Sequence, residues 1–528
     1  NIISMIYGLE ENLSGLNDIL SAIRMAKNDS KIKGIYIECN GSSAEIATRQ
    51  AIVEALNDFK KSGKWIVAYG DSYTQGDYLI ASTADSLYLN PIGEIDIHGL
   101  GGSTLFFTGL LEKLGVEMQI LRVGTYKSAV EPFILKEMSP ASRKQQEEYV
   151  NALWNEVAKM IANNRNLAIN DINLWADSLI MTYDTQYFVD NKIVDHLIYK
   201  HELDDKVAQL CDIADPDDIR YIDVNDYIMT VNANDPAKWA DFISDSKKLI
   251  AVLYAVGDIV DSGNEGIVGD KMVAQIMELI DNDNVEGLIL RVNSGGGSAF
   301  ASEQIWEALE QFKATGRPFY ASMGDVAASG GYYISCGADK IYAQPTTLTG
   351  SIGIFGIIPN IKKLLNNHLG ITSESVTSSP NGTFPNIMEP MTPLQTAQMQ
   401  KMINRGYETF VGRCAVGRDM PVDSIKAIAE GRVWAGVTAH EIGLVDELGS
   451  LQKAIADMAA KLELKGFTVE EYPSVNKKWW EELMELDGAI RMRYVQKSLG
   501  DAYPVYEAIE RVKNMNRVQC RMESVVIE

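Results

Sequence analysis

From residue 249 onward, short and almost wholly apolar runs alternate with longer segments in which apolar residues recur every three to four positions. The first kind predicts buried strands at 249–256, 287–292, 319–323 and 340–343; the second predicts helices at 272–280 and 298–313. In the second helix Ile305, Leu309 and Phe312 fall on one face and are expected in the core. A further helix is expected directly after Ser329. Strands that alternate with helices predict an α/β fold around a largely buried sheet.

The same pattern occurs twice. Ala68-Tyr69-Gly70-Asp71 precedes Ser322-Met323-Gly324-Asp325 by 254 positions, and that shift also pairs Gly76 with Gly330, Tyr78 with Tyr332, Tyr88 with Tyr342, Pro91 with Pro345 and Gly99 with Gly353. Upstream, a shift of 253 pairs Gly34 with Gly287, Asn40 with Asn293 and Phe59 with Phe312. Val194-Asp195 and Val445-Asp446 match at a shift of 251. The chain therefore reads as a tandem duplication: an N-terminal repeat over 1–230, a C-terminal repeat over 231–465 and an extension over 466–528. Residues 212–239, with Pro216, Asn232, Asn234 and Pro236, join the copies. Past Gly449, a helix at 451–462, a strand at 466–472 and a Met/Arg-rich tail lie outside the repeat.

Composition narrows the function. The 528 residues carry 48 basic and 72 acidic side chains, a net charge of −24, which disfavours binding to nucleic-acid phosphates. Five scattered cysteines with no paired spacing argue against a disulfide framework or a structural zinc site, and no cofactor motif stands out. No run of eighteen apolar residues occurs, and the chain opens Asn1-Ile2-Ile3 rather than with a basic start and a hydrophobic run. Neither a membrane span nor a signal peptide is expected within it.

Two stretches carry chemistry. In Gly324-Asp325-Val326-Ala327-Ala328-Ser329-Gly330-Gly331-Tyr332-Tyr333, a serine stands between a strand and a helix whose first amides are free to stabilise negative charge, as an acyl-transfer nucleophile requires. The bland alternative is a helix cap, worth about 1 kcal/mol. The second stretch, Asn293-Ser294-Gly295-Gly296-Gly297-Ser298, ends a strand in three glycines. There the amides of Gly296 and Gly297 can face a ligand and form an oxyanion hole with that of Gly330. Its alternative is a plain strand-to-helix turn. The spacing fits neither a dinucleotide site nor a P-loop.

A serine nucleophile needs a base. His98, His196, His201, His368 and His440 sit in no motif that favours one of them. Lysine is the other option, because burial lowers the pKa of its amine. Lys127, in Arg122-Val123-Gly124-Thr125-Tyr126-Lys127-Ser128-Ala129, is the candidate.

Together with Leu348-Thr349-Gly350-Ser351-Ile352-Gly353, these stretches resemble the signal peptide peptidase A family, also called protease IV, from about residue 17 to 450. The resemblance implies a Clp protease/crotonase fold and a Ser/Lys peptidase that clears remnant signal peptides at the membrane. The matching positions are Ser329 as nucleophile, Lys127 as base and Ser351 as a partner that holds the amine. It further implies a homotetramer on the extracytoplasmic side of the bacterial inner membrane, anchored by a segment ahead of the first copy. The family's turn reads Asn-Ser-Pro-Gly-Gly; here Gly295 replaces the proline.

The repeat makes an independent case for one composite site. Gln75 stands at the position of Ser329 and Ile97 at that of Ser351, while no lysine occurs between Lys363 and Lys401 to match Lys127. Each copy lacks what the other keeps. Two rival readings remain at this point: a crotonase-type thioester enzyme using the same oxyanion hole, and a non-catalytic peptide-binding scaffold.

Overall fold

The computed structural model describes residues 15–39, 41, 44–234, 248–473 and 518–522. In the first half, Gly34–Glu38, Trp65–Tyr73, Ser86–Ile95 and His196–Leu197 form a four-stranded, all-parallel sheet in that order. In the second half, Val285–Ser294 lies at the centre of a larger sheet between Leu249–Val256 and Phe319–Ala328. Leu348–Gly350 and Val433–Ala435 extend it on one side and Thr468–Tyr472 on the other. The expected α/β duplication is therefore present, and its registers follow the repeat: Trp65–Tyr73 and Phe319–Ala328 begin 254 residues apart.

Parallel strands buried on both faces explain the continuous apolar runs. Ile250, Ala251, Val252, Leu253, Leu288, Ile289 and Leu290 are all fully buried. The helix Ala299–Ala314 starts one residue later than its pattern suggests, because Ser298 serves as its cap and accepts from the Ala301 amide at 3.2 Å. Ile305, Leu309 and Phe312 face the core as expected, each worth roughly 1.5–3 kcal/mol of burial. The helix expected at 272–280 spans Gly269–Asp281. The strand expected at 319–323 continues to Ala328, since past a bulge at Met323 it gains a new partner in Leu348–Gly350. That extension carries the chain up to Ser329.

A third, mixed sheet joins the halves. Glu117–Arg122 pairs antiparallel with Phe355–Asn360, and the same sheet contains Val518–Arg521, Gly296–Ser298, Ile259–Val260 and Ile267–Val268. The helix Ile46–Lys60 adds polar contacts across the junction. The Thr48 amide and hydroxyl donate to Asp325 at 2.9 and 2.6 Å, and the buried Thr346 hydroxyl donates to Gln50 at 2.7 Å.

In the antiparallel ladder the Val123 amide donates to Ile354 at 3.2 Å, so alternation puts the Leu121 amide on Gly356 as well. Leu121→Pro deletes that donor at the buried residue of the strand. It is expected to cost roughly 3 kcal/mol, read as a lowered thermal unfolding midpoint, whereas an unchanged midpoint would mean that the ladder does not hold the halves together.

Candidate active site

Strand Phe319–Ala328 delivers Ser329 to the start of the short helix Gly330–Ser335. Ser329 adopts φ 55° and ψ −113°, a region that residues with a side chain seldom occupy. Backbone bonds hold it there: its amide donates to Gly350 O at 2.8 Å and its carbonyl accepts from the Tyr333 amide at 2.8 Å. The hydroxyl makes no capping bond to the helix, so the bland reading of Ser329 as a side-chain cap fails. Instead Ser329 Oγ lies 2.6 Å from Lys127 Nζ, in a place where both residues are almost completely shielded from water.

Lys127 follows the strand Glu117–Arg122 of the first half and enters the second half through a loop pinned by backbone contacts. The Tyr126 amide donates to Glu430 O at 3.0 Å, and the Gln145 side chain links Tyr126 O, Ser128 Oγ and the Val433 amide. The lysine stem runs between glycines. A Cβ on Gly431, which has φ 81°, would stand 2.7 Å from Lys127 Cα and Cβ, and one on Gly353 would stand 3.2 Å from Cδ. Nζ donates to Ser351 O at 3.1 Å and Ser351 Oγ at 3.0 Å. Those two acceptors and Ser329 Oγ surround the amine with three oxygens. Burial pushes the Lys127 pKa down to about 8, and among the described residues no carboxylate pairs with it.

The glycine turn lies against the serine. Gly296 and Gly297 have φ 102° and 157°, and a Cβ on Gly296 would come within 2.6 Å of Gly330 N. The Gly296 amide donates to Ser294 Oγ at 3.1 Å and is thereby engaged within the turn. Gly295 has open space where a Cβ would stand. None of the five histidines bonds to Ser329 among the described residues. His98 pairs with Asp96, His196 and His201 stack on Tyr88 and Tyr199, His440 faces Val445 O, and His368 is exposed. No cluster of His, Cys, Asp or Glu there is arranged to hold a metal ion.

The corresponding place in the first half is filled. Gln75 takes the serine position, accepts from the His98 and Gly99 amides at 3.1 and 2.9 Å, and donates to Gly99 O at 3.0 Å. The Arg49 guanidinium occupies the space over Gly76, the counterpart of Gly330. Sequence reasoning did not find Gly431 or Gln145, whose roles depend on contacts with residues 304 and 288 positions away.

A family model, Peptidase family S49, matches residues 58–214 and 311–465, one segment in each half. Protease 4 of Salmonella typhi is 37% identical over 476 residues, covering 88% of this chain and 74% of that protein. Protease 4 of Haemophilus influenzae is 35% identical over 447 residues, covering 83% of this chain and 71% of that protein. The chloroplastic serine protease SPPA of Arabidopsis thaliana is 26% identical, covering 84% and 66%. Among solved structures, a point mutant of ClpP1 from Listeria monocytogenes aligns over 39% of this chain and 94% of that chain at 15% identity and a TM-score of 0.27, a superposition too loose to argue from. The chain is a serine peptidase. It belongs to peptidase family S49.

Gly431→Ala places a methyl group against the Lys127 stem and is expected to lower kcat/KM on the order of 10²-fold through displacement of the amine. Gly295→Ala, in open space, serves as the comparison and is expected to stay within about threefold of the parent. Equal activity of the two variants would show that the glycine packing does not position the lysine.

Proposed function

We propose that the chain is an endopeptidase with a Ser/Lys dyad, and that its single active site is assembled from both repeats. The observation that carries this reading is the 2.6 Å approach of Lys127 Nζ to Ser329 Oγ, both buried, with no carboxylate paired to the amine among the described residues. In the neutral form, the Lys127 lone pair takes the hydroxyl proton as Ser329 Oγ attacks a peptide carbonyl. Negative charge then develops on the carbonyl oxygen, beside the amides of Gly297 and Gly330. The ammonium of Lys127 returns the proton to the departing amine when the C–N bond breaks, leaving an ester on Ser329. A water molecule, deprotonated by the same lysine, hydrolyses that ester and restores the hydroxyl. Ser351 acts as a positioning residue, since its two oxygens occupy both N–H donors and turn the lone pair towards the serine.

The substrates we assign are hydrophobic peptides, foremost remnant signal peptides, handled at a membrane by a homotetramer. The resemblance to signal peptide peptidase A supports this assignment. So do the exposed Leu105, Leu110 and Leu114, with Leu369 and Ile371 beyond the turn that bonds to Gly115, because such apolar surface suits hydrophobic peptides, lipid or neighbouring copies. No helix among the described residues is long and apolar enough to cross a membrane.

Lys127→Arg tests the base. A guanidinium keeps its charge and cannot accept the proton, so this variant is expected to be as inactive as Lys127→Ala, with kcat lowered about 10²–10⁴-fold. Fluorophosphonate labelling of Ser329 should fall in parallel. Retained turnover in Lys127→Arg would exclude the lysine as base.

A further inference from the structure

The segment Val518–Arg521 lies in the cleft of the proposed site as an inserted strand. It pairs antiparallel with Gly296–Ser298 on one side and with Phe355 and Gly356 on the other, so the glycine turn and the opposite wall are joined through it. Its register places Cys520 opposite Gly297. The Met522 amide donates to Gly295 O at 2.6 Å, and strict alternation along the ladder then puts Cys520 O on the Gly297 amide. The same oxygen comes within 2.0 and 2.9 Å of where Cβ atoms on Gly296 and Gly330 would stand, so it lies against both the glycine turn and the residue after Ser329. The Cys520 side chain is buried against the Ser329 side chain and lies 3.7 Å from Gly353 O. A peptide substrate would present its scissile carbonyl in this way, which makes the Cys520–Arg521 bond the one offered to Ser329.

The two residues after that bond enter built surroundings. The Arg521 guanidinium, largely shielded from water, forms an ion pair with Asp258. Met522 points to the other face, as alternation along a strand requires, and is buried in an apolar cluster with Tyr149 and Leu153 from the first half and Leu348 and Val433 from the second. We propose that segment 518–522 is held as a substrate is held, and that Asp258 is a specificity-determining residue favouring a cationic side chain directly after the scissile bond, with the Tyr149–Leu348–Val433 pocket taking a large apolar side chain next. This rests on the Ser/Lys peptidase reading and adds the leaving-side preference to it. The reaction is hydrolysis: the Cys520–Arg521 C–N bond of the peptide breaks, water supplies the new carboxylate oxygen, and the amine of the arginine leaves with the proton.

The test uses the full chain and a synthetic peptide with the sequence of residues 516–526, alongside a second peptide carrying Glu in place of Arg521. Competition from the resident segment scales both kcat/KM values equally, so their ratio reports the cleft alone. Mass spectrometry is expected to find the cut between the cysteine and the arginine. The arginine peptide should be preferred about three- to fivefold, the range of a half-exposed ion pair. Asp258→Asn should bring the ratio near one, and Asp258→Lys should reverse it. A cut elsewhere, or a ratio that neither variant changes, overturns the inference while cleavage of casein by the same preparation leaves the peptidase reading standing. A preparation that cleaves neither casein nor the peptides overturns the reading beneath it.

Discussion

Everything at this site depends on keeping one amine dry. A lysine in water is an ammonium ion and useless as a base at neutral pH. Burial without a counter-ion disfavours the charged form, and here it brings the Lys127 pKa down to about 8. Neither repeat can produce that environment alone, because the lysine comes from the first half and the groups that enclose it, Ser329, Ser351, Gly353 and Gly431, come from the second. The strand pairing of Glu117–Arg122 with Phe355–Asn360 is thus more than a joint between domains; it carries the lysine into the serine's surroundings.

Duplication followed by divergence explains why the two halves look alike and behave differently. In the second half the position after the sheet strand holds a strained serine whose hydroxyl is free of capping duty. In the first half the helix is capped by Thr74, and Gln75 satisfies the loop at His98 and Gly99 with its own amide. Arg49 closes the remaining space over Gly76. The first half carries a filled cleft, and what it contributes to the Lys127–Ser329 pair is the lysine side chain, extended across the junction.

Much of this fold was legible in the sequence because its signals are local. Apolar runs marked the buried strands within a few residues, and the 254-residue shift identified the duplication before any geometry was known. Ser329 stood out by its strand-to-helix stretch and Lys127 by a family resemblance, and the shift added that each copy lacks what the other keeps. Other features left no local trace. Gly431 looks like any turn glycine until the lysine stem is seen against it, and Gln145 sits on a long helix with nothing to mark its bonds to the lysine loop. Segment 518–522 reads as part of a Met/Arg-rich tail, yet its backbone completes a sheet whose other strands lie more than 150 residues away. Long-range pairing of that kind depends on closure of the whole chain, which periodicity does not encode.

The central claim, that a desolvated lysine takes the proton from Ser329, is tested most directly by the pH dependence of kcat/KM on a hydrophobic peptide. The lowered Lys127 pKa makes the sign clear: below about 8 the amine is protonated and the site idle, and above it the neutral base accumulates. One ascending limb centred near pH 8 is expected, with a plateau on its alkaline side. A limb centred near the ordinary histidine value of about 6.5, and abolished by replacing a histidine rather than Lys127, would contradict it.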